Sequence, residues 1–413
     1  AGWRISEEPF MKSLKGSWLQ NLKIRASYGS LGNNSVGNYE SISSLAFADY
    51  VLNNTPTTGF AIRSIANGNL TWESTYVTDL GLDFNILNNR LSAVIDYYNK
   101  QTKNILIDLP APYEHGAAGI PTQNSASVRN RGFEVTLGWQ DKINNFGYFI
   151  NANIAYNKNK VTKYKGDEYT LSGTNMIKEG YPINVQYLRL FDRIIQTDED
   201  VAVVQSMIDN APVDSKGNKI NPFSANGRPV KGDILYKDVN GDGLINDNDR
   251  TTIGNGLTPT IQYSATLGCS YKRIDLSLFF QGISGLKRIL LDSYYTPVLS
   301  RGYIVNKEIA DGRWYEGRTT PAFFPRLLTS NTKNTVSSDF WLQDMSYLKI
   351  KNIQIGYTFP SRMLPSLNIS KLRVYASLEN FFTFTSYKGI DPEVSGMNYP
   401  TMKQAVFGIN LSF

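Results

Sequence analysis

Cysteine and histidine are almost absent from this chain of 413 residues, which contains only Cys269 and His115. A single cysteine excludes an internal disulfide, and a single histidine argues against a histidine-based zinc site or a Ser-His-Asp triad. His115 lies in the stretch PYEHGAAG, which is typical of a loop. These absences predict a protein that is not an enzyme of either kind.

Charge is also scarce, at 19% of residues, and the net charge is +6. No run of five or more basic residues occurs, so no nucleic-acid partner is predicted. No apolar run of about 18 residues occurs either, and no transmembrane helix is expected. The first residues, AGWRISEEPF, lack a methionine and the regions of a signal peptide, which indicates a fragment or an internal start.

Aromatic residues, by contrast, reach 12%, and glycine and asparagine are abundant, a mixture that favours strands and turns. Four segments alternate strictly between apolar and polar residues: 133–140, 148–156, 261–271 and 405–413. Six further segments alternate less cleanly: 22–28, 75–85, 91–99, 274–281, 347–358 and 372–383. The sequence therefore predicts ten strands.

The predicted strands run to about 9–13 residues, which suits tilted strands that cross a bilayer. Short links (86–91, 141–147, 271–275 and 360–371) alternate along the chain with long ones (30–73, 100–128, 158–258, 285–346 and 385–402). Outer-membrane barrels have short periplasmic turns and long extracellular loops. We therefore predict an all-β fold, an antiparallel transmembrane β-barrel, as part of a wider barrel; the alternative is a large soluble sandwich or propeller.

The longest links require their own interpretation. Residues 158–258 are predicted to form one extracellular excursion, and 285–346 a long extracellular loop. The strand-like segment 185–195 is placed above the membrane, because counting it as a spanning strand would put the turn at 271–275 on the wrong side. The stretch that starts at Asp198 predicts a short helix with acidic residues in its first turn.

An acidic stretch at 238–249, DVNGDGLINDND, has the spacing of an EF-hand calcium loop. Its predicted metal ligands are Asp238, Asn240, Asp242, the carbonyl of Leu244, Asn246 and Asp249. The last position carries Asp where the EF-hand carries Glu, and no flanking helices are predicted. We expect calcium in a structural role; a loop rich in Asx turns and without metal is the alternative.

The last strand ends in alternating apolar residues and a terminal aromatic, which resembles the signal read by the outer-membrane insertion machinery. An ordinary strand that stops at the end of the chain is the alternative. The residues of this predicted signal are Phe407, Ile409, Leu411 and Phe413.

Several stretches resemble one family, the SusC/RagA-type TonB-dependent transporters of Bacteroidota, and they follow in its order. They include GWRISEEPFMK, NLKIRASYGSLGNN, NGNLTWESTYVTDLGLDF, NSASVRNRGFEVTLGW, GDILYKDVNGDGLINDNDRTTIGN, YLKIKNIQIGYTFP and the terminal FGINLSF. The resemblance covers nearly the whole chain and identifies it as the C-terminal part of such a barrel. It implies a barrel of about 22 strands, with a plug domain and N-terminal strands that this sequence does not contain.

The same resemblance implies partners and a cargo. A SusD-like surface lipoprotein acts as a lid, TonB with ExbB and ExbD supplies energy through the N-terminal part, and outer-membrane lipid surrounds the barrel. The cargo is expected to be an oligosaccharide or an oligopeptide.

Cargo-binding residues are predicted in the loop 286–346, where aromatic faces can stack on sugar rings and arginines can meet carboxylates. The alternative is that these side chains pack the loops against each other or against the lid. The candidates are Tyr294, Tyr295, Arg313, Trp314, Tyr315 and Trp341, with Arg301, Arg318, Phe323 and Phe324 nearby.

Two other functions stay open at this point. A siderophore or cobalamin importer would lack the lid partner. A calcium-stabilised surface binding or adhesion protein would be soluble without detergent.

Overall fold

The computed structural model describes residues 1–413 except 15, 17, 38–40, 109–121, 166–169, 224–226, 291–304, 330–332, 361–368, 395, 397 and 413. The described strands are β1 (Gly2–Trp3), β2 (Leu19–Asn33), β3 (Ser44–Leu52), β4 (Thr55–Ser64), β5 (Glu73–Ile86), β6 (Leu91–Ile107), β7 (Gln123–Ile143), β8 (Phe146–Tyr164), β9 (Thr170–Ser172), β10 (Asn175–Ile177), β11 (Val185–Arg189), β12 (Phe191–Ile194), β13 (Ile234–Tyr236), β14 (Arg250–Ile253), β15 (Ile261–Tyr271), β16 (Ile274–Ser284), β17 (Lys287–Ile289), β18 (Leu342–Asp344), β19 (Tyr347–Thr358), β20 (Lys371–Thr385) and β21 (Gln404–Ser412). The α-helices are α1 (Asp198–Asp209) and α2 (Lys307–Gly312), and short 3₁₀ turns span Ile5–Glu7, Pro9–Met11, Asp247–Asp249 and Asp339–Trp341.

The chain divides into two compact units. Unit one comprises Ala1–Ile143, Tyr148–Leu171 and Ile177–Ile183, and unit two comprises Asn144–Gly147, Ser172–Met176 and Asn184–Phe413.

In unit one, the strands form an antiparallel sheet in the order β1-β2-β5-β6-β7-β8. Strands β3 and β4 form a separate hairpin within the long link that follows β2. A small apolar cluster, Ala126, Val128, Val161 and Tyr164, lies at one end of β7 and β8, and Ile105 and Ile107 of β6 pack against it.

In unit two, β15, β16, β19, β20 and β21 form an antiparallel sheet in that order. The shorter strands pair apart from it, with β11 between β10 and β14, and with β12 against β13. The segment 185–195 therefore belongs to small separate sheets and not to the long-stranded one.

The ten predicted strands are confirmed, since the described residues of each lie within one of the long strands β2, β5, β6, β7, β8, β15, β16, β19, β20 and β21. The tight turns between them use left-handed backbone, which asparagine tolerates better than most residues. The residues with positive φ in these turns are Leu87, Asn88, Asn89, Asn144 and Lys272. Most of the predicted turn at 360–371 lies outside the described residues.

The sheet of unit two has one apolar face and one polar face, because successive side chains of a strand point to opposite sides. On the apolar face, Ile355, Ala376 and Phe407 lie opposite one another on β19, β20 and β21. Phe407 is 84% exposed. On the polar face, Arg373 donates from Nε to Asp275 at 2.9 Å. An exposed apolar face backed by a polar one is the outer-membrane barrel pattern.

Glycines on the polar face make room for large side chains of the neighbouring strand. Tyr98 lies across Gly132, its partner on the next strand, and its hydroxyl donates to Asn157 at 3.1 Å. Tyr375 lies across Gly408 in the same way. These aromatic rings cover the backbone of a residue that has no side chain to do so.

Substituting Gly132 by alanine is expected to destabilise the sheet of unit one. The new Cβ would clash with the carbonyl oxygen of Tyr156 and lie 2.7 Å from the Tyr98 hydroxyl oxygen. We expect a loss of about 1–3 kcal/mol of unfolding free energy. Gly29→Ala is the matched control, because nothing lies within 4 Å of its Cβ. Heat-dependent mobility in SDS gels measures the difference, and equal unfolding temperatures for the two variants would contradict it.

Candidate functional site

The two long loops of unit two fold together around one apolar core. We call the described residues of 184–260 and 285–346 the head. Its buried side chains come from both loops, with Tyr387 added from the link between β20 and β21; the cluster comprises Ile194, Ile195, Val204, Phe223, Ile234, Leu235, Tyr236, Ile245, Leu286, Leu290, Ile309, Phe324, Trp341, Met345 and Tyr387. The helix α1 belongs to the head and begins with a capping box between Thr197 and Asp200, as its acidic start predicts.

A buried carboxylate joins the two loops of the head. Asp233 is 0% exposed and accepts hydrogen bonds from Nε and Nη2 of Arg326 at 2.7 and 3.1 Å. It also accepts from Nδ2 of Asn334 at 3.1 Å and from the backbone N–H of Val230 at 3.1 Å. Each of its oxygens therefore has two donors, which is what a buried charge needs.

The predicted role of Trp341 in cargo binding is wrong. Its side chain is 0% exposed, and its indole N–H donates to the carbonyl of Asn334 at 2.9 Å. A buried ring whose only donor is already used cannot stack on a cargo. Trp314 is half-buried and packs over Gly232, whose φ of +87° lets the chain turn beneath the ring.

Tyr315, a predicted site residue, presents its ring to solvent at 48% exposure. The guanidinium carbons of Arg313 and Arg318 lie 5.6 and 5.7 Å from its ring centroid. Arg318 donates hydrogen bonds to four backbone carbonyls, those of Asp311, Arg313, Thr320 and Pro321. These bonds hold the loop 311–321 in one conformation.

Phe323 lies just after this loop and is 72% exposed. The loop therefore presents two exposed rings and a positive charge, an arrangement that suits contact with a cargo molecule that has both polar and apolar parts. Tyr294, Tyr295 and Arg301 lie outside the described residues.

The acidic loop is closed by its own carboxylates. Asp238 accepts from the backbone N–H of Gly241 at 2.7 Å and of Gly243 at 2.8 Å. Asp249 is 0% exposed and accepts from the N–H groups of Val239 and Asn246 at 2.9 and 2.8 Å. The first and last predicted ligands thus each bind backbone within the loop.

The middle positions of the loop make Asx turns. Asp242 accepts from the N–H of Leu244 at 2.8 Å and from Nδ2 of Asn240 at 3.0 Å. Asn246 caps the 3₁₀ turn that follows, and β14 begins directly after it, so the loop lacks EF-hand helices as predicted. Across the described residues, no group of three or more His, Cys, Asp or Glu side chains is arranged to hold a metal ion. Calcium at this loop stays a prediction.

Asp238→Asn is expected to lower the calcium content if the loop binds the ion, because the first ligand loses its charge. Asp214→Asn is the matched control, since Asp214 organises a different turn of the head through Lys216 and Asn218. Elemental analysis of the purified full-length protein after dialysis gives the readout. Calcium that is absent from the parent protein, or unchanged in Asp238→Asn, would contradict the prediction.

A cluster of buried charges outside the predicted site anchors the link between β20 and β21. Lys349 is 2% exposed, and its ammonium contacts Asp391 at 2.9 Å, Glu393 at 2.6 Å and the Thr401 hydroxyl at 2.9 Å. Lys351 contacts the same Glu393 at 2.8 Å. We call these five residues the lysine anchor.

Ionisation of the two acids in the lysine anchor is favoured despite their burial. Burial opposes charge on Asp391, but hydrogen bonds from Thr401, from the Glu393 N–H and from Lys349 outweigh it and hold its pKa well below the usual value. Burial likewise opposes charge on Glu393, and the two lysines lower its pKa. Both acids are therefore ionised at neutral pH.

The described residues of the predicted insertion signal lie on the apolar face of β21. Phe407, Ile409 and Leu411 are 84%, 66% and 48% exposed, and Phe413 lies outside the described residues. Their assignment as an insertion signal stays a prediction.

No helix among the described residues is long and apolar enough to cross a membrane, a finding that does not bear on strands. A family model described as "TonB dependent receptor-like, beta-barrel" matches residues 3–192.

Relatives match the chain over its whole length. TonB-dependent receptor P39 of Formosa agariphila is 31% identical over 100% of this chain and 42% of its own length. TonB-dependent receptor SusC of Bacteroides thetaiotaomicron is 26% identical over 100% of this chain and 39% of its own. The chain thus spans about two fifths of the length of these relatives.

Solved structures agree with these matches. The RagAB peptide transporter superposes with a TM-score of 0.75 at 28% identity, over 100% of this chain and 43% of its own. The RagAB peptide importer in the open-open state gives the same TM-score at 26% identity. The apolar and polar faces of the long-stranded sheets fit the outer membrane, where this family's barrels lie. The chain belongs to the TonB-dependent receptors of the SusC/RagA type and forms part of their outer-membrane β-barrel.

Proposed function

We propose that the protein carrying this chain imports nutrient oligomers, either oligosaccharides or oligopeptides, across the outer membrane with energy relayed by TonB, ExbB and ExbD. The observation that carries this is the match to a peptide transporter over the whole chain, head included. The match to SusC supports it. The reaction is transport, and no catalytic step is assigned to the chain.

We further propose that a SusD-like surface lipoprotein covers the loops of this subunit. The head gives that partner a rigid base, because its loops share one buried core with the Asp233 network at its centre. A calcium ion at 238–249 would fix the edge of the head beside Arg189 and Arg250, which both contact Asp247 at 2.9 Å.

Uptake in cells tests the transport proposal. Cells that lack the gene and cells that carry it are given labelled peptide mixtures, labelled oligosaccharides, a ferric siderophore and cobalamin. Uptake of an oligomer that depends on both the gene and TonB is expected. Gene-dependent uptake of only the siderophore or cobalamin would establish the other importer class, and protein that stays soluble without detergent would favour an adhesion protein.

Affinity purification from detergent extracts tests the partner. Cross-linked extracts are expected to yield the transporter with a surface lipoprotein in equal amounts. Recovery of the transporter without a lipoprotein, while transport of an oligomer persists, would contradict the proposed SusD-like partner. It would not contradict the proposed import function.

Tyr315→Ala is expected to raise the KM for cargo several-fold while leaving the amount of folded protein unchanged. Tyr315 presents an exposed ring beside Arg313, and removing it deletes a contact without opening the buried core. Tyr399→Ala is the control, because Tyr399 is 77% exposed in a different loop of unit two. Equal KM values in the two variants would remove Tyr315 from the cargo site.

A further inference from the structure

A groove with a volume of about 630 Å³ lies on the apolar face of the sheet of unit two. It runs along β20, whose side chains Val374 and Ala376 are small and form its floor. The larger residues of β19 and β21 form its two walls. The register places these residues in two rows, Ile355-Ala376-Phe407 and Tyr357-Val374-Ile409.

Larger side chains lie beyond both ends of the floor on the same strand. Leu378 follows Ala376 by two residues and lies between its partners on β19 and β21. Leu372 precedes Val374 by two residues and lies opposite Leu411 on β21. Residues two apart on a strand share a face, so both leucines project on the same side of the sheet as Val374 and Ala376 and fill more space there. The groove is therefore a bounded slot and not a uniform apolar surface.

Aromatic rings and a cation lie beside one end of the slot. Ile274, which lines it, pairs with Tyr357 on one side and with Tyr271 on the other. The tight turn after Tyr271 holds the Lys272 ammonium 5.3 Å from the Tyr271 ring centroid. Tyrosine and lysine are typical of the depth where lipid head groups meet hydrocarbon.

We propose that this slot binds one fatty-acyl chain of a phospholipid, whose phosphate contacts Lys272. The occupant is a phospholipid of the periplasmic leaflet, because the short turn 272–273 marks the periplasmic end of the strands. A chain lying along β20 contacts the floor and both walls, whereas a chain on a flat face contacts one side only. The ammonium of Lys272 complements the charge of the phosphate.

Native mass spectrometry of the full-length protein tests the slot. Protein extracted from its own membrane and washed stepwise with detergent is expected to keep one phospholipid. Ala376→Trp fills the floor and is expected to lower this occupancy about tenfold. Ala265→Trp is the matched control, because Ala265 faces Phe280 on the apolar side of the same sheet, away from the slot. Heat-dependent mobility in SDS gels checks that each variant is folded.

Val374→Leu narrows the slot with a smaller change and serves if Ala376→Trp does not fold. Equal lipid retention in the floor variants and in Ala265→Trp would overturn the proposal. So would a retained molecule whose mass identifies lipopolysaccharide, or no retained phospholipid at all.

The phosphate contact has its own test. Lys272→Glu is expected to lower retention and to make the remainder insensitive to salt, since the attraction between phosphate and ammonium is lost. Lys142→Glu is the control, because Lys142 lies near the end of β7, next to the short turn that leads to β8. Equal retention in these two variants would overturn the assignment of the phosphate to Lys272.

Discussion

Replacing Asp233 by alanine is expected to open the head while the long-stranded sheet stays folded. The substitution leaves the guanidinium of Arg326 and the amide of Asn334 without their shared acceptor. Removing one partner of a buried pair costs about 3–5 kcal/mol, and we expect the lower end because the Arg326 side chain keeps 31% exposure. This effect is large enough to loosen a small core.

Hydrogen exchange measured by mass spectrometry reports the opening. Asn334 accepts hydrogen bonds from the N–H of Ile234 and from the indole N–H of Trp341. Both bonds are expected to weaken once Asp233 no longer holds the Asn334 side chain in place. Peptides that cover Ile234–Tyr236 and Trp341 are therefore expected to exchange faster in Asp233→Ala. Asp311→Ala is the control. Its contact with Lys307 is exposed on both sides, so its loss is expected to leave the exchange of the head unchanged.

Unchanged exchange in Asp233→Ala would show that apolar packing alone holds the head. In that case the Asp233 network could be replaced without loss of structure, as happens with some buried ion pairs. Faster exchange throughout the sheet strands as well would show that the head and the sheet unfold as one unit. The expected result lies between these two outcomes.

The strands were predictable because each carries its own signal. Period-two alternation is local, and the segments at 133–140 and 261–271 show it without reference to any other part of the chain. The acidic start of α1 and the asparagines of the tight turns are local signals too. Local patterns therefore account for the confirmed architecture.

The head was not predictable in the same way, because its contacts join residues far apart in sequence. Asp233 and Arg326 are 93 residues apart, and nothing in the stretch that contains Asp233 identifies Arg326 as its partner. Trp341 illustrates the consequence. An aromatic residue in a long polar loop can stack on a ligand or pack in a core, and only the fold distinguishes the two.

The lysine anchor was missed for a related reason. In YLKIKN, Lys349 and Lys351 have the spacing of ordinary polar-face residues on a strand. The acids that bury Lys349 lie at 391 and 393, in a link whose sequence reads as a flexible loop. A pair of acids in that link was the only signal, and it does not identify its partner.

Lys349→Met is expected to release the link at 386–403 from the wall of the sheet. Methionine keeps the apolar length of lysine but leaves the carboxylate of Asp391 buried at 6% exposure without its cation. The loss is expected to reach about 3–5 kcal/mol of local stability. Hydrogen exchange and limited proteolysis between 386 and 403 provide the measurement.

Two further variants distinguish lost charge pairing from lost packing. Lys351→Met is the control, because Lys351 keeps 21% exposure and, among the residues that the structure describes, pairs with the single acid Glu393, so a smaller loss is expected. The double variant Lys349→Met with Asp391→Asn removes both charges and is expected to recover part of the protection. No recovery would mean that the methionine itself disrupts packing.

The pH dependence of the anchor follows from the same charges. Asp391 and Glu393 have folded pKa values below their unfolded values of about 3.9 and 4.3. A depressed pKa contributes stability that is present above the unfolded pKa and lost as pH falls through the folded one. Protection of 386–403 is therefore expected to be constant from about pH 8 to pH 5 and to weaken below about pH 4.

In Lys349→Met this acid sensitivity is expected to diminish, because the cation that favours the ionised acids is absent. Protection that instead fell between pH 8 and pH 6 in the parent protein would contradict the assignment of these two carboxylates as the groups that hold the link.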